Sequence, residues 1–150
     1  MKDDRLRISV EDSYVMSLGR AVYAFASLEW NAAYCCDRIK AAYVSKLGKK
    51  TADQIADDLI KYARRVTDPG VRAECEAGAA EFKRLVQRRN DLLHAVPGTA
   101  GDGHQRLIRY GRVWTPEDID DAADAFTACN IVLSDLLWGG LLREEGGAQS

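Results

Sequence analysis

Proline and histidine are scarce in this chain, with three and two copies in 150 residues. Few prolines leave few helix breakers, so long uninterrupted helices are permitted. No C-x-x-C pair occurs, and the four cysteines, Cys35, Cys36, Cys75 and Cys129, lack zinc-ligand spacing. Adjacent Cys35 and Cys36 on a helix point about 100° apart, which makes them poor candidates for a shared disulfide or metal. They are expected to be small apolar residues kept reduced, with no metal and no cofactor. No stretch approaches the roughly 18 consecutive apolar residues of a membrane span. The opening MKDDRLRISVEDS has no apolar core of signal-peptide type, so the expected location is cytoplasmic and no membrane partner is expected. Strong net charge is also missing: the total is −2, which argues against an extended nucleic-acid surface.

What is present is a globular balance, 47% hydrophobic and 29% charged. The length suits one domain over 1–150 with its own core, residues 1–10 and 146–150 being expected to fray. Charge is unevenly placed. Residues 83–112 hold seven bases and two acids, a local +5, whereas residues 115–150 hold eight acids and Arg143, a local −7. The middle of the chain could meet an anion although the whole is acidic, or could pair with the acidic C-terminal helix.

Helical periodicity dominates. Apolar positions recur every three to four residues from Tyr14 to Tyr43, a broad stripe about thirty residues long, interrupted by Glu29. GKK (48–50) breaks it, and TADQ (51–54) reads as a capping box with Thr51 as N-cap. The second helix carries Ile55, Leu59, Tyr62 and Val66. TDPG (67–70) opens a third, with Asp68 as N-cap and Pro69 in the first turn. Its stripe runs Val71, Cys75, Gly78, Phe82, Leu85, Arg89, Leu92, and ends where Val96 meets Pro97-Gly98. A Gly-rich loop, PGTAGDG, follows. RLIRYGRVW (106–114) then forms two short strands or an extended flap around Gly111. TPED (115–118) starts a fourth helix, with a stripe from Ile119 to Gly140. The expected fold is an all-α bundle of four to five helices with a short extended flap before the last helix.

One polar cluster stands where the third stripe should be finishing: RRNDLLHA, residues 88–95. Arg89 lies on the stripe itself, and Asn90 and His94, four apart, share a neighbouring face. Arg89 and His94 are about 140° apart round the helix and about 7.5 Å along it. A second copy packed across a two-fold axis could bring two Arg–His sets into one cleft.

RNDLLH resembles the signature of the HEPN superfamily: an Arg, four to six residues, then a His, often with a polar residue just after the Arg. The layout is similar too, a four-to-five-helix bundle with the motif near the end of the third major helix. The resemblance implies a metal-independent endoribonuclease, a homodimer acting on RNA with a composite site at the subunit interface, and possibly a toxin or anti-phage defence effector. Arg89, Asn90 and His94 would be its catalytic residues. A free imidazole titrates near 6.5 and can take or give a proton at neutral pH. One His94 could take the proton of a ribose 2′-OH while the other protonates the leaving 5′-oxygen, giving a 2′,3′-cyclic phosphate. Arg89, a permanently charged fork of donors, would hold the phosphate. Asn90 would orient His94 or donate to a phosphate oxygen. Val96 stands where members paired with nucleotidyltransferase antitoxins carry a modifiable Tyr, so that mode of inhibition is not implied. An antitoxin or regulatory protein stays open as a partner. Two other readings stay open as well: a non-catalytic module holding a nucleotide or a protein in the same cleft, and a helical scaffold.

Around this cluster, Glu29 is a candidate partner of Arg89 that holds the site's geometry, or a charge at the stripe's edge reaching water. Arg106, Arg109 and Arg112 recur every three residues beside Tyr110 and Trp114, and with Arg88 form a candidate RNA-binding set, by backbone contact or stacking; the alternative is a solvated flap. His104 is expected at the surface, and Trp30 and Trp138 in the core or a dimer interface.

Overall fold

The computed structural model describes residues 8–147. Five helices and a small antiparallel sheet follow in the order α1 (Asp12–Ile39), α2 (Ala52–Ala63), α3 (Pro69–Leu93), β1 (Val96–Thr99), β2 (Gln105–Arg109), β3 (Arg112–Trp114), α4 (Pro116–Trp138) and α5 (Gly140–Gly147). The fold is helix-dominated, and the all-α expectation is corrected by the three strands. Of the ends expected to fray, residues 1–7 and 148–150 lie outside the described residues, Val10 packs against the core, and α5 runs to Gly147.

Helix starts are fixed by their caps. Thr51 accepts from the Gln54 N–H at 3.3 Å while the Gln54 side chain accepts from the Thr51 N–H at 2.9 Å. Asp68 accepts from the Val71 N–H at 2.9 Å, and Thr115 and Asp118 form a second capping box. Ends are less regular. α1 stops at Ile39, short of the expected Tyr43: Lys40 is extended and Ala42 left-handed, and Tyr43 reaches the core from just before a 3-10 turn at Val44–Lys46. The fourth stripe likewise breaks at Gly139, where α5 begins as a separate helix. Gly140 is required there, because a Cβ would lie 2.8 Å from a methyl of Val71.

α1 and α4 run side by side in the same direction. The Tyr14 hydroxyl donates to the Trp114 carbonyl, Asn31 to Asn130, Cys35 to the Leu133 carbonyl, and Arg38 lies over Trp138. A level on α1 thus meets α4 about one hundred residues later. α3 packs antiparallel to α4: Gly78 meets Leu133 and Arg88 reaches Asp118. Phe25 of α1, Phe82 of α3 and Phe126 of α4 form the aromatic centre of the core, at 5.1 and 6.2 Å between ring centroids. All four cysteines are buried and free. Burial pushes the Cys75 thiol up to about 11 and Cys129 to about 12, which keeps them protonated.

The stretch Pro116–Arg143 reaches the length and mean hydropathy (1.5) of a membrane span, contrary to the expectation that no segment would. Its apolar residues Ile119, Phe126, Leu133 and Leu137 are buried in the bundle core. Trp30 and Trp138, expected in the core or an interface, are not core residues: half to two-thirds of each is exposed.

The flap is a three-stranded sheet in the order β1-β2-β3. β1 contains Pro97-Gly98, expected only to end a helix; Pro97 has no N–H to donate and is tolerated because β1 is an edge strand. Gly98 lets Ile108 cross closely, since a Cβ would meet its Cδ1 at 2.9 Å. β2 and β3 are joined by Tyr110-Gly111, both at positive φ (51° and 75°), the geometry of a tight hairpin turn.

Candidate functional site

The sheet is fastened over the end of α3. Arg109 of β2 donates to the His94 carbonyl at 3.1 Å and reaches Asp91 at 3.4 Å. It thereby caps an unpaired carbonyl of the helix terminus and places a cation at its negative end. His94 is the C-cap residue, its N–H donating to the Asn90 carbonyl at 2.9 Å. Its side chain is exposed, and its imidazole has no hydrogen-bond partner among the described residues.

Arg89 lies one and a half turns earlier, on the face turned to α1. Its guanidinium stacks over Phe25 at 4.6 Å from the ring centroid, donates to the Asn90 side chain at 2.8 Å, and stands 3.6 Å from Glu29. The sequence proposal for Glu29 therefore has its geometry: this interruption of the first stripe faces Arg89. Asn90 is tied to Arg89 and not to the His94 ring. About a quarter of the Arg89 side chain is exposed. Two of its five donors are directed at Asn90 and Glu29, which leaves donors for an anion.

The remaining arginines separate. Arg106 is corrected from the RNA-binding set: it is buried, with its guanidinium 3.0 Å from Glu11, 2.9 Å from the Gln105 carbonyl and stacked over Tyr14. Alternation explains this, because successive β2 residues point to opposite faces and Arg106 takes the inward one. Tyr14 completes the clasp by accepting the Leu107 N–H at 3.0 Å while donating to Trp114 at 2.8 Å. Burial raises its pKa, the bond from Leu107 and the charge of Arg106 opposing only in part. Arg88 donates to the Asp118 carbonyl, and Arg112, exposed, stands 3.5 Å from the Asp118 carboxylate. The local positive charge is therefore partly paired with the acidic start of α4. His104 is at the surface, 3.1 Å from Glu11.

The structure thus brings together Glu29, Arg89 and Asn90, with His94 at the same helix end and Arg109 against its backbone. Phe25, Asp91, Asp118 and Glu11 escaped the sequence reading. Phe25 is an ordinary member of an apolar stripe, and the three acids become partners only once the sheet folds back on the bundle. Among the described residues, no three His, Cys, Asp or Glu side chains converge to hold a metal ion. No protein-family model, no curated protein and no solved structure matches this chain.

Proposed function

We propose that this chain is a HEPN-like endoribonuclease that works without a metal, as a cytoplasmic homodimer, in the manner of a toxin or anti-phage defence effector. The observation that carries the reading is the pairing of a positioned arginine with an exposed histidine at one helix end. Arg89 is held by Phe25, Asn90 and Glu29, and the exposed His94 imidazole has no hydrogen-bond partner among the described residues. A base that must approach a ribose needs an imidazole free to meet substrate, whereas a buried, fully bonded His94 would suit a structural role. Exposed apolar side chains on α1 and at the end of α3, Val22 and Leu93, flank this cluster and suit a contact with a second copy.

In the proposed reaction one His94 takes the proton of the 2′-OH and the 2′-oxygen attacks phosphorus. The bond from phosphorus to the 5′-oxygen breaks, and the His94 of the second copy supplies that oxygen's proton. Arg89 holds the phosphate oxygens as charge grows on them. Arg88, Arg109 and Arg112 would contact the flanking backbone, and exposed Tyr110 would stack on a base.

Cleavage of a mixed-sequence RNA in EDTA tests this, comparing wild type with His94→Ala and Arg89→Ala at matched fold and dimer content. Activity that falls on the order of 10²-fold or more in both variants, with cyclic-phosphate ends in wild type, is the expected result. Glu29→Gln should lower activity less than Arg89→Ala, and no change in activity or stability would remove Glu29 from the site. A second reading has its own observation: the Glu29 carboxylate already stands against Arg89, the place a phosphate would take. A non-catalytic module that holds a nucleotide or a protein would show RNA or nucleotide binding with no cleavage in any of the three proteins.

A further inference from the structure

A second basic region stands apart from the helix-end cluster, where α1 ends and α2 leads into α3. Residues 38–65 hold eight bases and three acids. All three acids are engaged. Asp53 and Asp57 pair with Lys83 of α3, each at 2.8 Å, and Asp58 pairs with Lys50 and accepts from the Tyr43 hydroxyl. Asp37 and Asp68, which flank the stretch in sequence, accept the backbone N–H groups of Val44 and Val71, both at 2.9 Å. Counting them, residues 37–68 carry eight bases against five acids, a balance of +3 in a chain whose total is −2. Three of the bases converge on one ring. Lys40, Lys61 and Arg65 lie 5.9, 5.9 and 4.9 Å from the centroid of Tyr62, which packs edge-on against Tyr43. All three are exposed, and none has an ion-pair partner among the described residues. Burying a tyrosine ring calls for apolar stems. It does not call for three charges of one sign with no carboxylate between them, a repulsion that an arriving polyanion relieves.

We propose that Lys40, Lys61 and Arg65 hold backbone phosphates of an RNA at a site remote from His94, an assignment that rests on the proposed action on RNA. The surroundings favour a phosphate backbone over other polyanions. No large exposed apolar side chain lies between residues 35 and 92, so the region lacks what a bilayer or a peptide would bury. Tyr43 and Tyr62 are themselves buried, which leaves no ring open for a base to stack on. The contact is therefore with phosphates, which fix position and carry no base preference. Its place in the fold sets the kind of substrate. Arg72, in the first turns of α3, donates to the Val66 carbonyl at 3.4 Å and ties this region to the start of that helix, whereas Arg89 and His94 stand at its end. The 25 residues of α3 span about 37 Å at 1.5 Å per residue. At about 3.4 Å per base pair, an RNA engaging both ends is roughly ten base pairs long or more. The chain thus selects long or structured RNA over short fragments.

The test compares the full wild-type chain with Lys40→Gln, Lys61→Gln and Arg65→Gln combined, at matched fold. Binding of a labelled RNA hairpin of about forty nucleotides is followed by fluorescence anisotropy over a range of salt concentrations. The triple variant should bind on the order of tenfold more weakly, and its plot of log K against log salt should be shallower by about 2, as three lost phosphate contacts require. KM for cleavage of the hairpin should rise with that loss while kcat holds, and cleavage of a dinucleotide, too short to reach the patch, should not change. The same charge loss on other faces, Arg20→Gln with Arg84→Gln and Arg143→Gln, should leave hairpin binding within about twofold. Equal affinity and salt slope in the triple variant and wild type would overturn the proposal. So would an equal loss in both sets of variants, which would show only the general field of the chain. Binding to phosphatidylserine vesicles that needs the three cations, with RNA affinity unchanged, would hand the patch to a membrane and overturn it as well. A wild type that binds the hairpin through these cations but cleaves neither substrate would support the patch and remove the ribonuclease reading alone.

Discussion

Arg89 and Arg106 are built from the same parts and end in different states. Each guanidinium stacks on an aromatic ring of α1, at 4.6 Å over Phe25 and 4.7 Å over Tyr14, and each faces a glutamate, Glu29 and Glu11. Around Arg106 the contacts are short, 3.0 Å and 2.9 Å, and 7% of the side chain meets solvent. Around Arg89 the carboxylate stands off at 3.6 Å and a quarter of the side chain is open. The aromatic platform differs as well. Tyr14 bonds two backbone groups of the sheet region, so Arg106 belongs to a closed clasp between sheet and bundle, whereas Phe25 offers only its face. The same residue type thus has its donors consumed in a clasp at one site and keeps some of them for the proposed phosphate contact at the other.

The largest stability effect should come from opening the clasp. Arg106→Met keeps much of the aliphatic stem but leaves the Gln105 carbonyl without its donor and removes the stacked cation. It should cost about 2 kcal/mol, because buried acceptors left unpaired cost roughly 1–3 kcal/mol. For a chain of this size that is a fall in melting temperature of about 4–8 °C, read by thermal denaturation. RNA cleavage by the remaining folded protein should be unchanged, and a variant of normal stability that loses RNA binding would return Arg106 to the nucleic-acid surface.

Tyr14→Phe attacks the same clasp from beneath. It leaves the Leu107 N–H and Trp114 carbonyl without their partner, an expected loss of about 1–2 kcal/mol. It also adds a pH signature. With the folded pKa of Tyr14 raised above its ordinary value near 10, the native state keeps a proton that the unfolded chain gives up. That stabilisation is complete below pH 10 and is lost as pH rises through the folded value. Stability of the wild type should therefore fall more steeply above pH 10 than that of Tyr14→Phe, measured as denaturant midpoint against pH. Equal slopes would place Tyr14's hydroxyl in a wetter setting.

Arg89→Met should barely register by the same measure, about 0.5–1 kcal/mol, since a partly exposed ion pair and a cation–π contact are each small. A loss as large as that of Arg106→Met would mean the two sites are equally structural, against the reading of Arg89 as a phosphate holder.

The sequence exposed much of this and missed the rest for definable reasons. Helix starts were legible because a cap is local: Thr51, Asp68 and Thr115 each act within three residues. The Glu29–Arg89 pair was legible because a charge on an apolar stripe needs a partner. The division of the arginines was not, because it depends on where β2 lies against α1, a contact between residues about 90 apart in the chain. β1 was hidden by its own composition, since Pro97-Gly98 signals a stop and only edge placement lets it pair. Tyr43 and Gly139 show the same limit at helix ends, where periodicity continues but the backbone turns away.

The hairpin tip supplies the smallest and most diagnostic test of the comparison. Tyr110 sits at φ 51°, a left-handed conformation that favours Asn or Gly, yet it is a bulky aromatic with nine-tenths of its surface in water. Its ring contact among the described residues is the Arg109 guanidinium, at 4.5 Å. A residue that costs backbone energy and covers little is favoured by neither packing nor turn geometry, which suits the proposed stacking on RNA. Tyr110→Asn should raise stability slightly, by roughly 0.5 kcal/mol as the turn relaxes, and weaken RNA affinity by the loss of one stacking contact, about 1 kcal/mol or five- to tenfold. Opposite signs for stability and binding would set this position with Arg89, among the residues of the proposed RNA site. A variant that loses stability would place Tyr110 with Arg106, as part of what holds the sheet in place.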